Sequence, residues 1–279
     1  MTPHAQVKTM TDNHQMLDLY QWPLADRRHI TGVFTDIDDT LTSDGEISAS
    51  ALSALQKLRE TGISVIAITG RPVGWSVPFA RDWPIDAIVA ENGAVALVGD
   101  RKYYLQDAVT RANNQLRMLK VVETILQTLP HACVSQDSAG RETDIAIDHS
   151  EYSVLDEQDI AKVVHIMQEN GMTATVSSIH INGWFGTHNK LEGARWITQK
   201  LLGRDLDTDL NAWAYVGDST NDQVMFAHFA NSVGVANIKV FTKQLQHFPR
   251  YITPSERGDG FAEAVDALLL ARTTPAPIE

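Results

Sequence analysis

The sequence contains only one cysteine and no long apolar run. A single Cys133 cannot form a disulfide within the chain, and no stretch approaches the ~18 consecutive apolar residues that a membrane span needs. The N-terminus also lacks the basic and then apolar order of a secretory signal. We therefore expect a cytoplasmic protein without a membrane partner. Cys133 lies in an apolar run typical of a strand, which favours a buried structural thiol over a nucleophile.

Positive charge is also scarce. The 279 residues include 23 Lys and Arg against 35 Asp and Glu, which gives a formal net charge of -12 at pH 7. An acidic surface repels nucleic acid and anionic membranes, so neither is expected as a partner. With 43% hydrophobic and 21% charged residues, the chain has the composition of a globular protein that can bury a sizeable core.

Strands alternate with helices over much of the chain, which predicts an α/β fold built on a Rossmann-like parallel sheet. Between residues 107 and 185 the order changes to a helix, two strands, a helix and two strands. This stretch predicts a separate α+β unit inserted into the first. The expected organisation is a flexible N-terminal extension (1–28), a core in two parts (29–106 and 186–272), the inserted unit (107–185) and a C-terminal tail (273–279).

Polar turns follow three of the predicted strands, and ligands bind beyond the carboxyl ends of such strands. The turns carry Asp36, Asp38 and Thr40; then Thr69 and Arg71; then Asp218, Asn221 and Asp222. Carboxylates gathered in this way repel one another unless a cation lies among them, and Mg²⁺ suits a small all-oxygen site completed by phosphate. Any one of these aspartates could equally be a helix N-cap or turn residue. As a set they predict a site for magnesium and phosphate.

These turns resemble the motifs of the haloacid dehalogenase superfamily. D-x-D-x-T matches Asp36–Thr40, the hydroxyl residue of the second motif matches Thr69, and G-D-x-x-N-D matches Gly217–Asp222. Lys190 is the candidate for the lysine of the third motif. The long unit between the second and third motifs resembles the subgroup with a large α/β cap, which includes sucrose-phosphate phosphatase, mannosyl-phosphoglycerate phosphatase and phosphomannomutase.

The resemblance implies a mechanism centred on the first motif. Asp36 would be the nucleophile that forms an aspartyl phosphate, and Asp38 would protonate the leaving alcohol and later deprotonate water. Mg²⁺ would be held by the Asp36 side chain, the Asp38 backbone carbonyl and Asp218, and would offset the charge on nucleophile and phosphate.

The remaining motif residues would support this chemistry. Thr69 and Lys190 would hold phosphoryl oxygens, Asp222 would fix Lys190 or a metal-bound water, and Asn221 would support the loop. The alternative for Lys190 is an exposed lysine at a helix start, but a cation is electrostatically unfavourable at that position and so indicates a specific role.

Substrate contacts are predicted at the mouth of the core and on the cap. Arg71 and Asn92 match positions that line the substrate in relatives. In the cap the candidates are Arg141 and three residues that share one face of an alternating strand: His180, Asn182 and Trp184. The alternative for His180 and Trp184 is that they only pack or stabilise the cap.

Three functions are compatible with these features. The first is a Mg²⁺-dependent phosphatase acting on a small phosphorylated metabolite such as a sugar phosphate or glycosyl phosphate. The second is a phosphomutase of the phosphomannomutase type, which returns the phosphoryl group to sugar. The third is a non-catalytic binding module, which would have no need of both Asp36 and Asp38.

Overall fold

Most strands belong to one sheet whose central strands run parallel. The structure, a computed structural model, describes residues 16–274. Its strands are β1 (Leu17–Asp18), β2 (Gly32–Thr35), β3 (Thr42–Ser43), β4 (Glu46–Ile47), β5 (Ser64–Ile68), β6 (Ala87–Ala90), β7 (Val95–Val98), β8 (Arg101–Tyr104), β9 (Cys133–Val134), β10 (Asp144–Asp148), β11 (Thr173–Val176), β12 (His180–Trp184), β13 (Trp213–Gly217), β14 (Ser232–Gly234) and β15 (Tyr251–Ile252). The large sheet has the order β1-β15-β14-β13-β2-β5-β6-β7-β8, and only β7 and β8 pair antiparallel to their neighbours.

Helices cover both faces of this sheet. The α-helices of residues 16–274 are α1 (Leu24–Arg28), α2 (Ala49–Glu60), α3 (Val73–Asp82), α4 (Ala108–Thr128), α5 (Glu157–Glu169), α6 (Lys190–Leu202), α7 (Gln223–His228) and α8 (Arg257–Thr273), of which α4 and α5 pack against a second, smaller sheet. Neighbouring residues of β2 point to opposite faces: Val33 packs in the core shared with α2, α3 and α8, and Phe34 in the core shared with α6 and α7. The expected α/β fold with a parallel sheet is therefore confirmed.

Residues 107–185, called the inserted unit below, carry a sheet of their own. It is antiparallel, with the order β11-β12-β10-β9. Ile147 and Ile181 pack against α4 and α5 on one face. Because side chains alternate along a strand, His180 and Asn182 lie on the opposite face, which contacts the core.

Local sequence signals set where the main helices begin. Ser48, Asp107, Asp156 and Asn189 are the N-cap residues of α2, α4, α5 and α6, and each side chain accepts a hydrogen bond from a backbone N–H in the first turn. Such caps satisfy N–H groups that have no partner within the helix. Asn189 therefore fixes the start of α6 and with it the position of the next residue, Lys190.

Two glycines allow α6 to approach the turn after β6. A Cβ on Gly93 would lie 2.3 Å from the Asn189 carbonyl oxygen, and one on Gly193 would lie 2.5 Å from the Gly93 Cα. Gly93 also has φ +109°, a region that favours glycine. The close packing holds the first turn of α6 against the carboxyl end of the sheet.

The N-terminal boundary differs from the expectation. Residues 16–28 were expected to belong to a flexible extension, but β1 adds to the edge of the large sheet and Leu19 and Trp22 are buried. Trp22 stacks on Tyr251 with ring centroids 5.5 Å apart, and its Nε1 donates to Asn231 Oδ1 at 3.1 Å. The segment is anchored by a few large side chains, which make no periodic pattern. Residues 1–15 and 275–279 lie outside the described residues, and α8 extends to Thr273.

The expectation of a buried Cys133 is wrong. Cys133 is exposed because β9 is a two-residue edge strand that pairs only with β10. Across residues 16–274, no helix combines the length and the apolar character needed to cross a membrane.

Candidate active site

The three polar turns meet at one edge of the large sheet. β2 lies between β13 and β5, so the residues that directly follow these strands, Asp36, Asp218 and Thr69, become neighbours. One carboxylate oxygen from each of Asp36, Asp218 and Asp222 lies within 4.8 Å of the others. All three carboxylates are buried. The turns predicted to converge are thus brought together.

Lys190 lies among these carboxylates. Its Nζ is 2.6 Å from Asp36 Oδ1, 2.6 Å from Asp222 Oδ1 and 3.3 Å from Asn221 Oδ1. Burial acts to lower the pKa of Lys190, but the Asp222 and Asp36 carboxylates raise it above its usual value. The ammonium group therefore stays charged, and the two ion pairs offset the unfavourable position of a cation at a helix N-terminus.

Asp222 is held by protein donors on both carboxylate oxygens. Oδ2 accepts from the backbone N–H groups of Asp218 (2.9 Å) and Ser219 (3.1 Å). Oδ1 accepts from Lys190 and from the Tyr215 hydroxyl. With its oxygens taken in this way, Asp222 orients Lys190 and fixes the turn after β13.

Asp36 and Asp218 are the two carboxylates suited to bind a cation. Burial, with repulsion from Asp222 and Asp38, raises the pKa of Asp36 to about 8 despite the Lys190 ammonium group. Burial and the neighbouring carboxylates also raise the pKa of Asp218 well above its usual range. The site therefore has too little positive charge for its carboxylates. An all-oxygen donor set with this deficit suits Mg²⁺.

Arg71 connects the second turn to the first. Its backbone N–H donates to Thr69 Oγ1 at 3.0 Å, and its Nε donates to Asp38 Oδ1 at 2.8 Å. Burial acts to lower the pKa of Arg71, but the Asp38 and Glu151 carboxylates raise it above its usual value. The sequence predicted Arg71 as a substrate contact, whereas the structure places it on the carboxylate predicted to act as acid and base.

Three of the four predicted cap residues lie at the junction with the core. Arg141 Nη1 and Asn182 Nδ2 donate to the carbonyl oxygen of Gly70, at 3.0 Å and 3.3 Å. His180 Nε2 lies 2.9 Å from Glu151 Oε2. The Arg141 and Asn182 hydrogen bonds hold the inserted unit over the second turn, whereas the His180 contact lies within that unit.

Asn92 and Trp184 are both buried but differ in their surroundings. Asn92 has φ 55°, and its Nδ2 has no hydrogen-bond partner within the described chain. Trp184 is fully buried, stacks on His188 and donates from Nε1 to the His188 carbonyl at 3.0 Å. Asn92 thus keeps a donor for a ligand, while Trp184 packs inside the structure. Their substrate roles stay predictions.

Sequence reasoning missed several residues that complete the site. Asn237 Nδ2 donates to Asp218 Oδ2 at 3.0 Å, and since Asn237 closely follows β14, the strand-end rule could have found it. Asp137 and Glu151 of the inserted unit contact Arg71. Their loops carry no periodic pattern that would have indicated this.

A cavity of about 450 Å³ opens beside the first motif. Asp38, Arg71 and Arg257 line it from the core, and Glu151 and Tyr152 from the inserted unit. Three larger cavities in the described chain, of about 470 Å³, 650 Å³ and 1160 Å³, are not lined by the motif carboxylates. The smaller cavity is therefore the one that gives access to the candidate acid and base.

Lys190→Met is expected to destabilise the fold strongly. Removing one partner of a buried ion pair typically costs about 3–5 kcal/mol, because the remaining charges stay buried without compensation. The matched control is Lys57→Met, which removes an exposed pair with Asp266 (2.7 Å) and should cost less than about 1 kcal/mol. Urea unfolding without added metal measures both. Equal free energies of unfolding for the two variants would contradict a role for Lys190 in balancing the buried carboxylates.

Two comparisons with known protein sequences agree with each other. A family model described as haloacid dehalogenase-like hydrolase matches residues 33–166. A phosphoglycolate phosphatase of Pyrobaculum islandicum is 25% identical over 238 residues, which cover 84% of this chain and 93% of that protein. Residues 33–166, which match the family model, include the first two motifs.

Solved structures share the fold over most of its length. A Thermoplasma acidophilum protein aligns with a TM-score of 0.68 and 17% identity, covering 86% of this chain and 99% of that one. The sucrose-phosphatase of Synechocystis, in complex with sucrose and phosphate, aligns with a TM-score of 0.62 and 16% identity, covering 86% and 98%. At these identities the likeness shows the fold alone and not the substrate.

Proposed function

We propose that this chain, whose residues 33–166 match a haloacid dehalogenase-like hydrolase model, is a Mg²⁺-dependent phosphatase that cleaves a small phosphomonoester through an aspartyl phosphate on Asp36. The observation that carries this proposal is the buried cluster itself. Asp36 lies beside Asp218 and 2.6 Å from the Lys190 ammonium group, at the carboxyl end of the central strands. A carboxylate in this position can attack phosphorus, and a nearby cation can bind the oxygens of the phosphoryl group.

The chain's own residues divide the work of the two steps. The Asp36 carboxylate attacks phosphorus as the ester bond to the leaving oxygen breaks, and Asp38 gives its proton to that oxygen. Asp38 then accepts a proton from water as the water attacks the aspartyl phosphate and releases inorganic phosphate. Thr69 and Lys190 hold the phosphoryl oxygens. Mg²⁺, held by Asp36, the Asp38 carbonyl and Asp218, would supply the positive charge that lets two anions approach.

We propose a sugar phosphate or glycosyl phosphate as the substrate class. The inserted unit would act as a cap that closes over the cavity and excludes water from the first step. A related phosphoglycolate phosphatase and a structurally similar sucrose-phosphatase both act on small molecules, which supports a small phosphorylated metabolite here. Asn92, whose buried Nδ2 has no hydrogen-bond partner within the described chain, is a candidate on the core for binding it.

A phosphate-release screen tests the function directly. Purified protein with Mg²⁺ is given sugar phosphates, glycosyl phosphoglycerates, phosphoglycolate and nucleotides, and free phosphate is measured. Release from at least one sugar or glycosyl phosphate is expected. Formation of an isomeric sugar phosphate without free phosphate would indicate a mutase, and no reaction with any compound would contradict the proposal.

Chelation should abolish this activity. The cation is worth several kcal/mol to phosphoryl transfer, so excess chelator should lower turnover by about 10²-fold or more. Mg²⁺ should restore it, whereas Ca²⁺ should substitute poorly because its longer, less regular coordination loosens the in-line geometry. Phosphate release at each metal concentration measures the effect, with protein integrity followed by circular dichroism. Undiminished turnover in excess chelator would show that no metal is required.

A further inference from the structure

The guanidinium group of Arg71 is shared between the core and the inserted unit. Nε donates to Asp38 Oδ1 at 2.8 Å, Nη2 to Glu151 Oε1 at 2.8 Å, and Nη1 to Asp137 Oδ2 at 3.3 Å. Arg71 is buried, with 5% of its surface exposed. All three nitrogens therefore contact protein carboxylates, and the side chain is fixed by its partners.

Glu151 is held in place by the backbone of its own loop and has one close side-chain neighbour within the inserted unit. His180 Nε2 lies 2.9 Å from Glu151 Oε2, the oxygen that is not closest to Arg71. The backbone N–H of Glu151 donates to Asp148 Oδ1 at 2.9 Å, and that of Tyr152 to Asp148 Oδ2 at 2.9 Å. Asp148 ends β10, so the loop that carries Glu151 is tied to the sheet of the inserted unit.

We propose that Glu151 is a positioning residue for the acid and base of the reaction: through Arg71 it fixes the carboxyl group of Asp38. This inference rests on the proposed function. The Arg71 contact occupies Oδ1 of Asp38, which leaves Oδ2 as the oxygen that gives the proton to the leaving oxygen and later takes one from water. Because Glu151 belongs to the inserted unit, the acid and base are fully oriented only when that unit lies against the core.

A planar guanidinium suits this task. Its N–H groups point in fixed directions, so one carboxylate held at Nη2 sets the direction of Nε. A lysine in the same place would offer one ammonium group and could not span both carboxylates in this geometry. The chain Asp148–Glu151–Arg71–Asp38 thus transmits the position of the inserted unit to a group that touches the substrate.

Glu151→Gln is expected to lower kcat/KM mainly for substrates whose leaving group needs a proton. For the sugar phosphate that reacts fastest in the screen, kcat/KM should fall roughly 10-fold to 10²-fold, because small displacements of a catalytic group have effects of that size. For p-nitrophenyl phosphate, whose leaving group needs no proton, kcat/KM should fall less than about 3-fold. The measured quantity is the ratio of kcat/KM for the sugar phosphate to kcat/KM for p-nitrophenyl phosphate. It is informative because kcat/KM reports the steps up to departure of the leaving group.

Glu142→Gln is the matched control. Glu142 also joins the inserted unit to the core, through Lys102 (2.8 Å) and Tyr104 (2.6 Å), but it does not touch Arg71 or Asp38. Its substitution should leave the ratio unchanged. A loss of attachment between the units would lower kcat/KM equally for both substrates. If Glu151→Gln has that effect, the positioning role is wrong.

A double-mutant cycle separates Glu151 from other effects. Arg71→Lys should lower the ratio by itself, and adding Glu151→Gln should then change it no further, because the two residues act in series. Additive effects would overturn the proposal, and if Glu151→Gln does not fold, an unchanged ratio in Arg71→Lys would do the same. Phosphate release by Asp36→Asn would instead refute the proposed function, so the two failures are distinguishable.

Discussion

Asp36→Asn is expected to abolish phosphate release from every substrate. The amide cannot attack phosphorus, and it is a weaker ligand for the cation, so turnover should fall by roughly 10⁴-fold or more, as is usual when a nucleophile is removed. The loss should not come from unfolding. Burial and neighbouring carboxylates raise the pKa of Asp36 to about 8, so its ionised form is unfavourable in the metal-free fold and a neutral amide relieves that repulsion.

Asp39→Asn is the matched control for this variant. Asp39 is in the same turn, has φ 54° and pairs with Arg257 at 3.1 Å instead of joining the carboxylate cluster. Asparagine tolerates this backbone conformation, so the fold should be kept. Phosphate release and urea unfolding are measured for both variants. Equal loss of activity in the two would contradict the assignment of Asp36 as the nucleophile.

Asp38→Asn is expected to separate the two steps of the reaction. It keeps the nucleophile and loses the proton donor, so turnover of a sugar phosphate should fall about 10²-fold to 10⁴-fold. With p-nitrophenyl phosphate the first step should suffer less, and hydrolysis of the aspartyl phosphate should become limiting. Arg71 retains Glu151 and Asp137 as partners, so the variant should remain folded.

A pre-steady-state burst with p-nitrophenyl phosphate measures this difference. The wild-type protein and Asp38→Asn should both release p-nitrophenol in the first turnover, and the variant should then slow markedly. An Asp38→Asn protein as fast as wild type on sugar phosphates would show that another group transfers the proton.

The positions of the motif residues could be predicted because they depend on a simple rule. Asp36, Thr69 and Asp218 each follow a buried parallel strand, and adjacent strands bring their carboxyl ends together whatever the connecting segments do. Lys190 was predicted as the candidate for the lysine of the third motif, and its place at a helix start, where a cation is unfavourable without a partner, supported that prediction. Its two carboxylate partners lie at 2.6 Å.

What the sequence did not reveal depends on contacts between distant segments. Glu151 and Asp137 reach Arg71 only because the inserted unit packs over the core, and no pattern in their loops records that packing. The segment around Trp22 was taken as flexible because two short elements leave no periodicity, although one tryptophan ring on Tyr251 anchors them. Cys133 was expected to be buried because an apolar run does not distinguish an edge strand from a central one.

The covalent intermediate is the central claim, and its direct detection is the most direct test. Asp38→Asn protein is mixed with p-nitrophenyl phosphate and Mg²⁺, quenched in acid within the burst, and analysed by intact mass and by peptide mapping. We predict one added phosphoryl group per chain, on the peptide that contains Asp36, and none on the protein that also carries Asp36→Asn. A phosphoryl group on any other residue, or turnover with no phosphorylated protein at any time, would contradict the account.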